Sequence, residues 1–136
     1  MPTYEPHPRP TPALLALRPA IEGQPAAIPT PATMPDFQHQ VLRPLLKLQH
    51  EVLVGTATAF AHDYHVPLAG AAPAEASRLL AELLARNTRL RATLTGLVVG
   101  LLTNEEFAFY QQHRAELNRR LLDLVAERVG RALANG

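Results

Sequence analysis

Six histidines are the residues of this chain best suited to bind or transfer something. His39, His50, His62 and His65 lie on or just after the first expected helix, and His113 precedes Glu116 by about one helical turn. Imidazole and carboxylate together suit first-row transition metals, so the set raises a metal-binding reading. His62-Asp63-Tyr64-His65 has the spacing to share one cation at a helix end. A carboxylate-bridged di-metal bundle, however, needs Glu-x-x-His on two helices and a Glu from each of two others. Here the order is reversed, His113-x-x-Glu116, and it occurs once. The expectation is no metal and no cofactor. His39, His50, His62, His65, His113 and Glu116 are the residues that a metal would have to use. His50 falls inside an apolar stripe and reads as a packed, hydrogen-bonded histidine.

Nucleophilic chemistry has little to stand on. The chain has no cysteine, which excludes disulfides, thiolate zinc sites and a thiol nucleophile. Its sole serine, Ser77, sits outside any Gly-x-Ser-x-Gly turn, and no glycine-rich phosphate loop is present. Arg78, Arg86, Arg89 and Arg91 fall on the second expected helix, and Arg114, Arg119, Arg120, Arg128 and Arg131 on the third. Glu75, Glu82, Glu116, Asp123 and Glu127 are interspersed among them, and the formal net charge is only +1. A mixed surface follows, not a nucleic-acid face. The reading is of a non-enzyme.

The elements that must position these residues are helices. Apolar residues are 47% of the chain but aromatics only 5%, so the core is built from Leu, Ala and Val, which suits helices better than sheets. Ala76, Leu80, Leu83, Asn87, Leu90, Leu94, Leu97 and Leu101 recur in alternating steps of four and three. That is the seam of a helix packed lengthwise on other helices. Asn87 is its one polar member. It bonds a neighbouring backbone group, pairs with its own copy across a dimer axis, or contacts a ligand. Gly96 and Gly100, one turn apart, form a flat strip on which a helix or the proline-rich segment can dock; alternatively they mark a bend or a tolerant helix end.

Ten of the thirteen prolines fall in residues 1–35. That spacing favours extended, polyproline-like chain and predicts an N-terminal arm. Within the arm, Leu14, Leu15 and Leu17 form an apolar island suited to docking on a groove. Helices are expected over about 36–64, 73–102 and 104–134. Thr33 and Asp36 have capping-box spacing at the first, Pro73 suits the first turn of the second, and Thr103 with Glu106 forms a capping box at the third. Pro44 is expected to kink or delay the first helix, whose alternative start is Pro44 itself.

The expected architecture is all-α. Three long helices form an antiparallel up-down-up bundle over residues 36–136, preceded by an extended proline-rich arm over 1–35. Each of the first two helices carries more apolar surface than a three-helix bundle covers. The functional expectation is therefore a helical interaction or assembly protein, a homo-oligomer or part of a larger assembly. Its interface residues would be Leu80, Leu83, Asn87, Leu90, Leu94, Gly96, Leu97 and Gly100, with Leu14, Leu15 and Leu17 of the arm. The alternative is a metal- or small-ligand-binding bundle using histidine and carboxylate residues of helices 1 and 3. No signal-peptide pattern opens the chain, and no apolar run approaches the ~18 residues of a membrane span. A cytoplasmic location is the default expectation.

Overall fold

Proline stands in the first turn of four of the helices of this chain. The computed structural model describes residues 3–5, 7–21 and 32–134, and among these residues every regular element is helical. The N-terminal segment is not wholly extended, as its proline content predicts. It contains a short helix, α1 (Thr11–Ala16). Pro12 lies in its first turn, where a missing N–H costs nothing because no intrahelical acceptor precedes it. The next five residues, Ala13 to Leu17, contain no proline. Residues 22–31, part of the expected arm, lie outside the described residues.

The next helical run is made of α2 (Met34–Phe37), a π-helical turn (Gln38–Leu42), α3 (Arg43–Leu48) and α4 (His50–Asp63). Thr33 caps it as expected, its Oγ1 accepting the Asp36 N–H at 3.2 Å. The disturbance expected at Pro44 takes the form of the wide turn just before it. A proline here lacks the N–H that the Gln40 carbonyl would use, and its ring crowds that carbonyl; a wider turn relieves both. The backbone is helical at Phe37, Gln38, Leu42 and Arg43, so the run does not reverse. It breaks instead at Gln49 (φ −92°, ψ 9°), whose side-chain Nε2 donates to the Leu97 carbonyl at 2.7 Å. The run ends in a Schellman turn. The His65 N–H donates to His62 O and the Val66 N–H to Ala61 O, with His65 at φ +59°, a conformation usually left to glycine.

One helix expected over 73–102 is two: α5 (Pro73–Arg86) and α6 (Thr88–Val99). Asn87 separates them in extended conformation (φ −118°, ψ 95°), and its Oδ1 accepts the Leu90 N–H at 2.9 Å. The heptad spacing survives the break, because side chains on both sides still face one core. Asparagine competes for backbone donors and so favours a helix start over a helix middle. Arg91 completes the junction by donating to the Leu84 and Ala85 carbonyls at the end of α5 (2.6 and 3.2 Å). The helix expected over 104–134 is likewise two, α7 (Asn104–Gln112) and α8 (Arg114–Ala134), parted at His113 (φ −127°, ψ 28°). Its start carries the expected capping box of Thr103 and Glu106 in full.

The core gathers Phe37, Val41, Leu45, Leu53 and Ala57 from the first run, the seam from α5 and α6, and Leu117, Leu121, Val125 and Val129 from α8. Burying each leucine contributes roughly 1.5–3 kcal/mol. The most extensive pairing is α5 with α8. The two helices approach closely at Gly130, where an added Cβ would lie 2.1 Å from Ser77 Oγ and 2.7 Å from the Pro73 carbonyl oxygen. No described helix is long and apolar enough to cross a membrane.

Candidate functional site

Two places on this scaffold gather charged groups in a way that simple surface solvation does not require. The first holds the N-terminal segment. Arg9 donates to the carbonyls of Leu102 and Gly100 (2.5 and 2.9 Å), groups left without intrahelical partners at the end of α6. Nine residues later Arg18 makes a bidentate pair with Glu106, at 2.7 and 2.5 Å. Both side chains are nearly removed from water, at 7% and 5% exposure. Glu106 Oε1 also accepts the Thr103 N–H at 2.9 Å, so the capping carboxylate of α7 doubles as the anchor for a residue 88 positions away. Arg18 Nε is buried with no partner among the described residues. A third tie follows at Lys47, whose ammonium donates to the Ala20 carbonyl at 3.0 Å. Between these ties Leu14 is buried at 8% exposure, while Leu15 and Leu17 stand at 42% and 54%.

The second place is a cleft between α3 and α8, with a volume of about 240 Å³. Leu46 and Leu124 line it with Ile21 of the N-terminal segment. Arg43, Lys47, Arg128 and Arg131 supply four positive charges there against one carboxylate, Glu127, among the described residues. Arg128 is partly buried and donates to His50 Nδ1 at 3.2 Å, which requires that nitrogen to be unprotonated. Burial, and then the charges of Arg131 and Arg43, push the Arg128 guanidinium below its ordinary pKa. Elsewhere on α5 and α8, Arg78 meets Glu75 and Glu82, Arg119 meets Glu116 and Asp123, and Arg120 meets Glu116, while Arg86 bonds the Glu82 backbone carbonyl and Arg114 meets no carboxylate among the described residues. None of the four cleft cations has a carboxylate within 4.0 Å among the described residues.

The residues singled out from spacing are distributed as follows. Leu80, Leu83, Leu90 and Leu94 are 0–3% exposed and face the chain's own core. They are not available as an interface while this fold stands, because the facing helices of the same chain already cover them. Asn87, 9% exposed, is satisfied within its own chain as a cap. Leu97 is partly buried. Gly96 and Gly100 are exposed, and an added Cβ at Gly96 would meet nothing within 4 Å. Gly100 does receive the N-terminal segment, through the Arg9 bond to its carbonyl.

The histidines do not converge. His50 is engaged by Arg128, and the His113 ring lies 4.6 Å from that of Phe109, which in turn stacks on Phe37. Glu116 accepts from Arg120 at 3.0 Å. His39 is exposed and lies on the π-helical turn, away from the His62–His65 helix end. His62 and His65 line one shallow groove at the end of α4, with Asp63 3.8 Å from His62. Among the described residues no group of three or more histidine, aspartate or glutamate side chains gathers around one point. Ser77 donates its hydroxyl to the Ala126 carbonyl at 3.1 Å, a bond that stitches α5 to α8.

Spacing in the sequence missed the Arg18–Glu106 pair and the α3–α8 cleft, since both join residues more than eighty positions apart. One signal for the first was present. Glu106 was recognisable as a capping carboxylate, and a carboxylate at a helix start retains an oxygen for a second donor. No family model matches this chain, and no curated protein or solved structure is significantly similar to it.

Proposed function

We propose that this chain is a non-enzymatic helical interaction protein. In this reading it is a three-helix antiparallel up-down-up bundle over 34–63, 73–99 and 104–134, preceded by a proline-rich arm. It self-associates or joins a larger assembly through the arm and the outward faces of helices 1 and 2. The observation that carries the reading is the asymmetry of α1. Arg9 and Arg18 anchor the segment on either side, and Leu14 turns in, yet Leu15 and Leu17 are half-exposed. A segment ordered by a buried ion pair has already lost much of its conformational entropy, so an apolar pair presented on it binds at a lower ordering cost. Half-exposed Val52 on α4 and the bare backbone face at Gly96 add outward surface on helices 1 and 2. The seam leucines contribute by making the body rigid, not by touching a partner. The bundle topology is supported by the pairing of α5 with α8 and by α4 contacting both α6 and α8.

The test is the solution mass of the full chain by light scattering, beside a Leu15→Asp/Leu17→Asp variant. The expected result is an oligomer for the parent and a smaller mass for the variant, with unchanged far-ultraviolet circular dichroism. Monomers in both samples at micromolar concentration would remove self-association through the arm.

A further inference from the structure

We propose that the cleft between α3 and α8 binds a small anion bearing a phosphate monoester. Arg43, Lys47, Arg128 and Arg131 line a cavity of about 240 Å³, with Glu127 as the only acid among the described residues that line it. This assignment does not rest on the interaction reading above.

Like charges held close together repel, here with Arg43, Lys47 and Arg131 exposed and Arg128 partly buried, and a fold with no use for them tends to disperse or pair them. Elsewhere Arg78, Arg119 and Arg120 each meet a carboxylate one turn away on their own helix, and Arg114, which meets none among the described residues, is exposed at the start of α8. In the cleft, pairing is absent among the described residues. Arg43 and Arg131 have no hydrogen-bond partner there, and Lys47 has only the Ala20 carbonyl. Arg128 directs its guanidinium at a neutral imidazole nitrogen. Burial and the two neighbouring arginines already disfavour its charged form. An anion in the cleft would offset the repulsion and supply the acceptors that the guanidinium forks lack.

Phosphate fits better than carboxylate. Three guanidinium groups and an ammonium present more donors than two carboxylate oxygens can accept, whereas the oxygens of a phosphate monoester can engage several forks at once. The dianion also comes closer to balancing four cations against one acid. The apolar lining of Leu46, Leu124 and Ile21 would take the ester's carbon substituent rather than a second charged group. Long nucleic acid suits the site poorly. The cations are concentrated in one cleft, and α8 carries Glu116 and Asp123 further along, where a continuous backbone would need neutralising contacts.

The test is isothermal titration of the full chain with inorganic phosphate and with glycerol 3-phosphate at constant ionic strength, using chloride as the background anion. A parallel arm measures co-sedimentation with phosphatidylcholine vesicles containing phosphatidic acid. The expected result is saturable binding at one site. An Arg43→Gln/Arg131→Gln variant should weaken it by about tenfold or more, the scale of charge-assisted bonds lost from a half-exposed site. Arg114→Gln, at the exposed start of α8, should leave it unchanged. Each single variant, Arg43→Gln and Arg131→Gln, is titrated too, with circular dichroism to verify the fold. Saturable binding of the soluble phosphates points to a soluble ligand. Binding of the phosphatidic acid vesicles alone, lost in the double variant, points to a lipid headgroup carrying the same phosphate monoester. Absence of saturable binding in both arms, or binding that the cleft variants and Arg114→Gln weaken alike, overturns the assignment.

Discussion

The pair between Arg18 and Glu106 offers the sharpest test of how the N-terminal segment is held. Deleting one member of a buried ion pair costs about 3–5 kcal/mol when the survivor stays buried. Here the survivor can escape. Glu106 belongs to the helical body, but Arg18 lies on a segment otherwise tied by Arg9, by Lys47 to Ala20, and by buried Leu14. If the guanidinium is lost, the segment can lift and readmit water to the carboxylate. The cost is then capped by the segment's own docking free energy. Leu14 burial contributes about 1.5–3 kcal/mol of this, opposed by the entropy of ordering the segment. Arg18→Ala is therefore expected to cost about 2–3 kcal/mol. Glu106→Gln should cost a similar amount, because glutamine keeps the bond back to the Thr103 N–H and removes only the charge. Glu106→Ala should cost about 1 kcal/mol more, through loss of the cap. The Arg18→Ala/Glu106→Gln double variant should fall short of additivity by about 2 kcal/mol.

Urea unfolding followed by circular dichroism measures all four. Amide exchange supplies an independent local readout, at the Leu14 and Leu17 N–H groups that bond Pro10 O and Ala13 O. Both should exchange much faster in Arg18→Ala while the α8 amides do not. Additive variants, with coupling below about 0.5 kcal/mol and exchange in α1 unchanged, would refute the reasoning that this pair clamps the segment to its own chain.

Three further expectations concern the body. Asn87→Leu restores an unbroken apolar seam in the sequence, yet should destabilise by about 1 kcal/mol because Leu90 loses its cap, whereas Asn87→Asp should be close to neutral; thermal unfolding separates the two. Gly130→Ala should cost about 2 kcal/mol, since its Cβ would strike Ser77 Oγ and the Pro73 carbonyl oxygen, while Gly96→Ala, with open space around it, should stabilise by about 0.5–1 kcal/mol. His65→Gly should raise the melting temperature by a few degrees, because His65 sits at φ +59° in a Schellman turn; an unchanged or lower midpoint would show that the side chain contributes more than its backbone strain costs.

Legible from residue order alone are the helical character, the starts of α2, α5 and α7, and the inward face of the second expected helix. Thr33, Pro73 and the Thr103–Glu106 box act on backbone groups within a turn of themselves, so their effect is local and can be read from spacing. The alternation of four and three through Leu80, Leu83, Leu90 and Leu94 marks the buried face for the same reason. Tertiary structure decided what that face meets. The same leucine pattern serves a partner subunit or the chain's own helices, and here α4, α5, α6 and α8 converge on it. Tertiary structure also decided where long helices divide. Asn87 and His113 are compatible with continuous helix by periodicity alone, yet the backbone leaves the helical conformation at both while the residues on either side share one core. The groups suited to function were the least legible. Arg18 with Glu106, and Arg43 and Lys47 with Arg128 and Arg131, are brought together across long separations. Electrostatic energy depends on distance and on exclusion from water, and chain order fixes neither until the helices have packed.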